Sequence, residues 1–402
     1  FLREVLDRYR DRPFWLSQQA LRTAKDSADV VLYLVNSSEH PKDAGYLPAE
    51  MKILAWLDKP VVVLLNQMGP PRPGNEEHSE QARWREHLQQ YPIVRDVLAL
   101  DAFARCWVHE RVFYEAVGKL LPQSQQAGYA RLFAAWQEQN AARFRQAMHL
   151  LATQLAVAGQ DREAIEPVSK GLLKSALQVV GIGKNAEQQR QEKAMASLVA
   201  RLNAHSGITT RELLILHKLD PTDAHKINSR IRENFAVRAP IDKAQAGLLG
   251  AMISGAATGL SADLISGGLT LGTGALLGGV VGALTFAGAA WGFNSGTDRN
   301  EPIMQFTDAF LRTLVVAGVL RYLAVAHFGR GRGNFVESEA PAFWQDEVEQ
   351  AVARHEGALA ELWKDVRREK SNELAAERVQ PIITAITADV LARLYPDVAQ
   401  QM

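Results

Sequence analysis

The stretch "VVVLLNQMGP", Val61 to Pro70, decides how the first third of this chain is read. Val61 to Leu65 form an unbroken apolar run rich in β-branched residues. Such a run has no polar alternation to mark a wet face, so it predicts a strand buried on both faces, as in a parallel sheet. The run ends on Asn66, and Gly69 and Pro70 turn it into a loop.

Working outward, the pattern repeats. "ADVVLYLVN", Ala28 to Asn36, is a second buried strand, and "DVLAL", Asp96 to Leu100, a third. Between them lie "PAEMKILAWL", Pro48 to Leu57, with proline in its first turn, and "EEHSEQARWREHLQQ", Glu76 to Gln90, a polar surface helix. "RVFYEAVGKLL", Arg111 to Leu121, closes the series. Strand and helix alternate, which predicts a doubly wound α/β sheet with right-handed crossovers and ligands at the carboxyl ends of its strands. Those ends carry Asn36-Ser37-Ser38, Asn66-Gln67-Met68-Gly69 and Asp101-Ala102-Phe103.

This succession resembles the second half of a Ras/Era-like P-loop GTPase domain. There a strand ends in the guanine-reading Asn-Lys-x-Asp, and after a helix the next strand ends in Ser-Ala-Lys. The resemblance implies that Asn66 ties the base loop to the phosphate loop. It sets Gln67 where the lysine stem covers the base, Gly69 where the aspartate reads guanine, and Asp101 and Ala102 where Ser-Ala touches the base through backbone. Gly69 departs from the pattern. The aspartate accepts two charge-assisted hydrogen bonds from guanine, and glycine has no side chain to accept them. The resemblance implies GTP and Mg2+ as cofactors, but no G-x-x-x-x-G-K-[ST] occurs in the 402 residues. Gly181-Ile182-Gly183-Lys184-Asn185 lacks both the spacing and the hydroxyl. Without a phosphate loop there is no nest of backbone N–H groups, no lysine and no hydroxyl for magnesium. This chain alone is therefore expected to bind no GTP. Two accounts fit: a chain that naturally begins upstream of Phe1 and carries the missing half-domain there, or a degenerate, nucleotide-free fold.

Composition narrows the classes. Lys plus Arg and Asp plus Glu balance at 45 each, so no global field favours nucleic acid. The one cysteine, Cys106, excludes an internal disulfide. The ten histidines are scattered and none has metal-ligand spacing, so no metal site is expected. After the polar linker Pro122 to Gly128, residues 123–240 read as helices, with Leu132, Trp136, Phe144, Met148, Leu151 and Leu155 close to one face.

Ala244 to Thr297 is different. It holds 14 of the chain's 29 glycines and one charge, Asp263. Glycine costs a helix in water about 1 kcal/mol against alanine, but at four-residue spacing it lets helices approach closely in a membrane. Gly255 and Gly259 form one such pair. Gly274, Gly278 and Gly282 form a zipper, and Gly288, Gly292 and Gly296 another. With Asp263 at a turn, Ala244 to Ala262 and Leu269 to Phe293 make two arms of about 28 and 37 Å as helices, each able to cross a core of about 30 Å. Two readings follow: a hairpin inserted in lipid, permanently or conditionally, or a glycine-packed hairpin buried in protein. Arg230, Arg232, Arg238 and Lys243 before it, and Arg299, Arg312, Arg321, Arg330 and Arg332 after it, favour a cytoplasmic placement of both flanks.

Phe306 to Gly333 reads as an apolar helix suited to an interface, followed by a cationic loop. In that loop Arg330 and Arg332 meet lipid phosphates or an acidic partner, or are simply solvated. From Pro341 the chain is helical again. The whole resembles a bacterial family of GTPases with an uncharacterised C-terminal domain. The carriers are "VVLLNQMGPPRP" with "LALDAFARCW", then "ADLISGGLTLGTGALLGGVVGAL", and "LRYLAVAHFGRGRG". The expected organisation is a partial GTPase-like α/β domain (1–122), a helical domain (123–240), the glycine-rich hairpin (241–297) and a C-terminal helical region (298–402). The expected function is a GTP-binding protein at the cytoplasmic face of the bacterial inner membrane, partnered by lipid and by itself through the zippers. The alternatives are a non-enzymatic anchor or helical scaffold, and a membrane-remodelling or pore-type protein.

Overall fold

The computed structural model describes residues 12–67, 76–100, 106–164, 182–224, 227, 291–294, 303–327 and 342–395. Its contacts group into two units. One comprises Phe1–Ala142 with Ser338–Phe343 and Leu394–Met402, the other Arg143–Glu337 with Trp344–Arg393.

The first unit is built on the apolar runs. Helix α1 (Arg12–Ser27) leads into strand β1 (Val31–Asn36), α2 (Leu47–Leu57), β2 (Val61–Asn66), α3 (Glu76–Leu88), β3 (Val94–Ala99), α4 (Trp107–Leu120) and the first part of α5 (Gln123–Gln160). The sheet is parallel, in the order β1-β2-β3. Every residue from Val61 to Leu65 is buried, as their unbroken hydrophobicity requires. Val61, Val63 and Leu65 pack with Leu47, Met51, Leu54 and Leu57 of α2 and Trp84 and Leu88 of α3. Val62 and Leu64 pack on the other face with Ala116, Val112 and Phe113 of α4. The second layer stops there. On β1, Leu32 and Leu34 point to that same face and remain 41% and 57% exposed. The sheet is thus covered on both faces at β2 but on one face only at β1.

The second unit is mostly helical. It holds the rest of α5, then β4 (Arg162–Ala164), α6 (Ile182–Leu216), β5 (Trp291–Asn294), β6 (Ile303–Phe306), α7 (Asp308–His327), α8 (Ala342–Arg354), α9 (Glu356–Arg368) and α10 (Asn372–Leu394). A small antiparallel sheet in the order β4-β6-β5 interrupts the helices. The helical reading of residues 123–240 and 298–402 did not foresee it, because strands of three and four residues are too short to show a period. Arg201 of α6 clamps β4 with a two-pronged bond to Asp161 at 2.9–3.1 Å and a second contact to Glu163 at 2.8 Å. Gly159 of α5 lies against α9: a Cβ there would meet Val366 at 2.8 Å. Helix α7 is enclosed nearly all round. Tyr322 is in edge contact with Phe144 and His217, and His327 lies 4.7 Å from the Trp344 ring.

Two expectations are corrected here. Phe306 to Gly333 was read as a helix lying at an interface. Asp308–His327 is the helix among the described residues long and apolar enough to cross a membrane, yet 78% of its most apolar window is buried inside the protein. Its low charge reflects a core position. The zipper reading of Gly288, Gly292 and Gly296 also fails at Gly292, which lies in strand β5 opposite Gln305. Counting glycines by four overlooked the alternation of Trp291 and Phe293, which has the period of a strand.

Candidate functional site

Parallel pairing brings the carboxyl ends of the strands side by side. Asn36 is in register with Asn66, and Leu65 with Ala99. The chain leaves β1 in a local turn: the Asn36 carboxamide oxygen accepts bonds from the Ser38 N–H at 3.1 Å and the Ser38 hydroxyl at 2.7 Å. This is the Asx geometry that lets an asparagine end a strand without leaving donors unmet. Ser37 ties the two exits together, because its N–H and its hydroxyl both donate to the Asn66 carbonyl at 2.9 Å. On the other side the Leu100 N–H donates to the Leu65 carbonyl at 3.1 Å.

The next residue is unusual. Gln67 has φ 64°, in the left-handed region, and is exposed. A non-glycine residue pays for that conformation. It ends the extended backbone of β2 at that residue. Of the residues proposed to read a base, Asn66 and Gln67 are thus held at the sheet's carboxyl end, Asn66 partly buried and Gln67 in solvent. Gly69, Asp101 and Ala102 lie outside the described residues. So do Gly255, Gly259, Asp263, Gly274, Gly278, Gly282 and Gly288 of the hairpin, and Arg330 and Arg332.

Among the described residues two amide side chains, Asn36 and Asn66, stand at the strand ends, and no described glycine-rich loop precedes a helix to hold the phosphates of a GTP–Mg2+ group. No described group of three His, Cys, Asp or Glu side chains is placed to hold a metal ion.

Two polar features escaped the sequence reading. One is a cationic cleft in the first unit, lined by His40, Lys42, Arg83, Glu86, His87 and Gln90. The spacing of the last four along α3 and just beyond it was legible as one helix face, but nothing in the sequence placed the 40–42 loop opposite. The other lies in the second unit. Arg321, 1% exposed, donates through Nη1 to Gln154 Oε1 at 2.8 Å, and Gln154 Nε2 donates to Ser206 Oγ at 2.6 Å. No described carboxylate pairs with Arg321, its Nε has no partner, and burial pushes the guanidinium down to about 10. The one charge in the apolar run Leu314 to Ala326 was the available signal.

Residues 85–388 match the model of a domain of unknown function, DUF3482, and the chain belongs to that family. No curated protein and no solved structure matches it. The matched region begins inside α3 and ends inside α10, so β3, α4 and most of the helical unit lie within it while β1, β2 and Asn66 lie before it.

The Arg321 network gives a test of how the second unit is held. Gln154→Leu removes the guanidinium's acceptor and strands the charge, and should cost roughly 2–3 kcal/mol in urea unfolding. The double variant Gln154→Leu/Arg321→Met removes both partners and should lie within about 1 kcal/mol of the wild type. A double variant whose loss equals the sum of the losses of Gln154→Leu and Arg321→Met would show that the pair does not act together.

Proposed function

We propose that this chain is the base-reading and membrane-facing part of a GTPase-like switch protein. The observation that carries the reading is the set of strand ends: three parallel strands whose carboxyl termini align Asn36 with Asn66, with left-handed Gln67 opening the loop where the guanine-reading motif stands in the GTPases. Doubly wound sheets bind ligands at that edge. In this reading Asn66 holds the base loop in place, Gln67 covers the base with its stem, and backbone at Asp101 and Ala102 closes the site. Phosphate and magnesium would be held by a loop outside these 402 residues. Nucleotide state would act on the helical unit and on the glycine-rich segment, which would associate with lipid at the cytoplasmic face of the bacterial inner membrane and with a second copy through its zippers. Helix α7 is left out of the membrane contact, since its surface is already spent on protein packing.

A second reading has its own support. The family match starts at Arg85, beyond Asn66, so the family is defined by β3 and the helices rather than by the base loop. That favours a non-enzymatic helical scaffold with a vestigial sheet.

The two readings separate on base choice. The 402-residue chain should bind no labelled GTP analogue at micromolar concentration, with or without magnesium. The gene product read from its initiator codon should bind one, with weak preference for GTP over XTP or ATP because Gly69 offers no acceptor. Gly69→Asp should raise that preference by about tenfold or more, the equivalent of a charge-assisted hydrogen bond. An unchanged preference would remove Asn66–Gly69 from the base.

Membrane association is tested separately. The chain expressed in bacteria should sediment with membranes and resist alkaline carbonate. Deleting residues 244–290, which spares β5, should release it. A wild-type chain recovered as a monodisperse particle without detergent would contradict permanent insertion.

A further inference from the structure

We infer that the cleft between the loop leaving β1 and the C-terminal half of α3 is a binding site for a phosphomonoester. It has a volume of about 370 Å3 and is lined by His40, Lys42, Arg83, Glu86, His87 and Gln90, with buried Pro41 as part of its wall. That size is at the lower end of small-ligand clefts and exceeds what a lone ion needs. The inference does not rest on the nucleotide reading.

The charges in this cleft are unspent. Some arginines of the described residues are paired, Arg111 with Glu115, Arg201 with Asp161 and Arg393 with Glu347. Arg85, two residues from Arg83 on the same helix, bonds Asp96 at 3.3 Å and the Val97 carbonyl at 3.1 Å. The Arg83 guanidinium and the Lys42 ammonium make no hydrogen bond or ion pair among the described residues, although Glu86 lies one turn from Arg83. Two cations of different elements are held at one concavity with no carboxylate joined to either.

The neutral donors point to the same ligand. The Lys42 backbone N–H donates to His40 Nδ1 at 3.2 Å, so a neutral His40 carries its proton on Nε2. That makes its remaining ring nitrogen a donor. Gln90 uses one amide hydrogen on the His87 carbonyl at 2.9 Å, which fixes its side chain at the cleft rim. A phosphomonoester dianion presents three oxygens, each able to accept more than one such bond, and matches a guanidinium, an ammonium and imidazole N–H groups arrayed around it. Glu86 is the one like charge, and it opposes an anion at the site.

The ester group has two sources, a small molecule in solution or a phosphatidic acid headgroup, and the experiment separates them. Binding of glycerol 3-phosphate to the 402-residue chain is measured by calorimetry, with imidazole resonances of His40 and His87 as the local readout. Co-sedimentation is measured with phosphatidylcholine vesicles with and without phosphatidic acid. We expect saturable glycerol 3-phosphate binding, or vesicle binding that requires phosphatidic acid. Lys42→Gln/Arg83→Gln should weaken either by about a hundredfold, tenfold per charge-assisted contact. Both side chains are exposed, so folding is not at stake. Glu86→Gln should tighten binding, and Lys52→Gln, an exposed control on α2, should leave it unchanged. Binding of neither probe by the wild type, binding that survives the double variant, or weakening by Glu86→Gln would each overturn the assignment.

Discussion

Val61 to Leu65 have water on neither side, and the α/β unit is arranged around that constraint. A fully buried valine or leucine contributes about 1.5–3 kcal/mol relative to its exposed state, so β2 is secure only while helices cover both of its faces. Covering both faces requires crossover connections, and crossovers make the strands parallel. Parallel strands end together, and that is why Asn36, Asn66 and Ala99 meet at one edge. The candidate site therefore follows from the burial of β2, before any side chain at the edge is considered.

The same constraint is met on only one face of β1. Helix α4 covers Val62 and Leu64 but not Leu32 and Leu34 beside them. An exposed pair of leucines at an edge strand, continuous with a buried face, is where a further layer would pack. In the second unit the corresponding constraint is the enclosure of α7. Its apolar length satisfies a hydrocarbon core and a protein core equally well. What separates the two is Arg321, which inside a bilayer would need water or lipid phosphate and here donates to Gln154, itself held by Ser206.

Much of the first unit was legible in the sequence. The three strands fell within three residues of their observed starts, because β-branched runs bounded by proline, asparagine and charge have few other readings. The mixed α/β and helical character was legible for the same reason. The parts missed share a cause. Strands β4, β5 and β6 are too short to carry a period, so Gly292 was counted by four instead of by two. Helix α7 was misplaced because hydropathy measures aversion to water and does not say what replaces it. The cleft at Lys42 and Arg83 depends on a loop meeting a helix forty residues away, and no local pattern encodes that. At the carboxyl edge of the sheet, the end of β2 at Asn66 was legible from the apolar run before it, whereas the left-handed backbone of Gln67 had no signal, since glutamine is not a residue that favours it.

The central claim is that the carboxyl edge of the parallel sheet meets a guanine nucleotide. Amide hydrogen exchange on the gene product read from its initiator codon, with and without GTP and magnesium, tests it most directly. The account predicts slowed exchange at Ser37, Ser38 and Gln67 on nucleotide addition, with the β2 interior already protected in both states. Nucleotide-dependent protection that spares these three residues, or no protection anywhere, would contradict it.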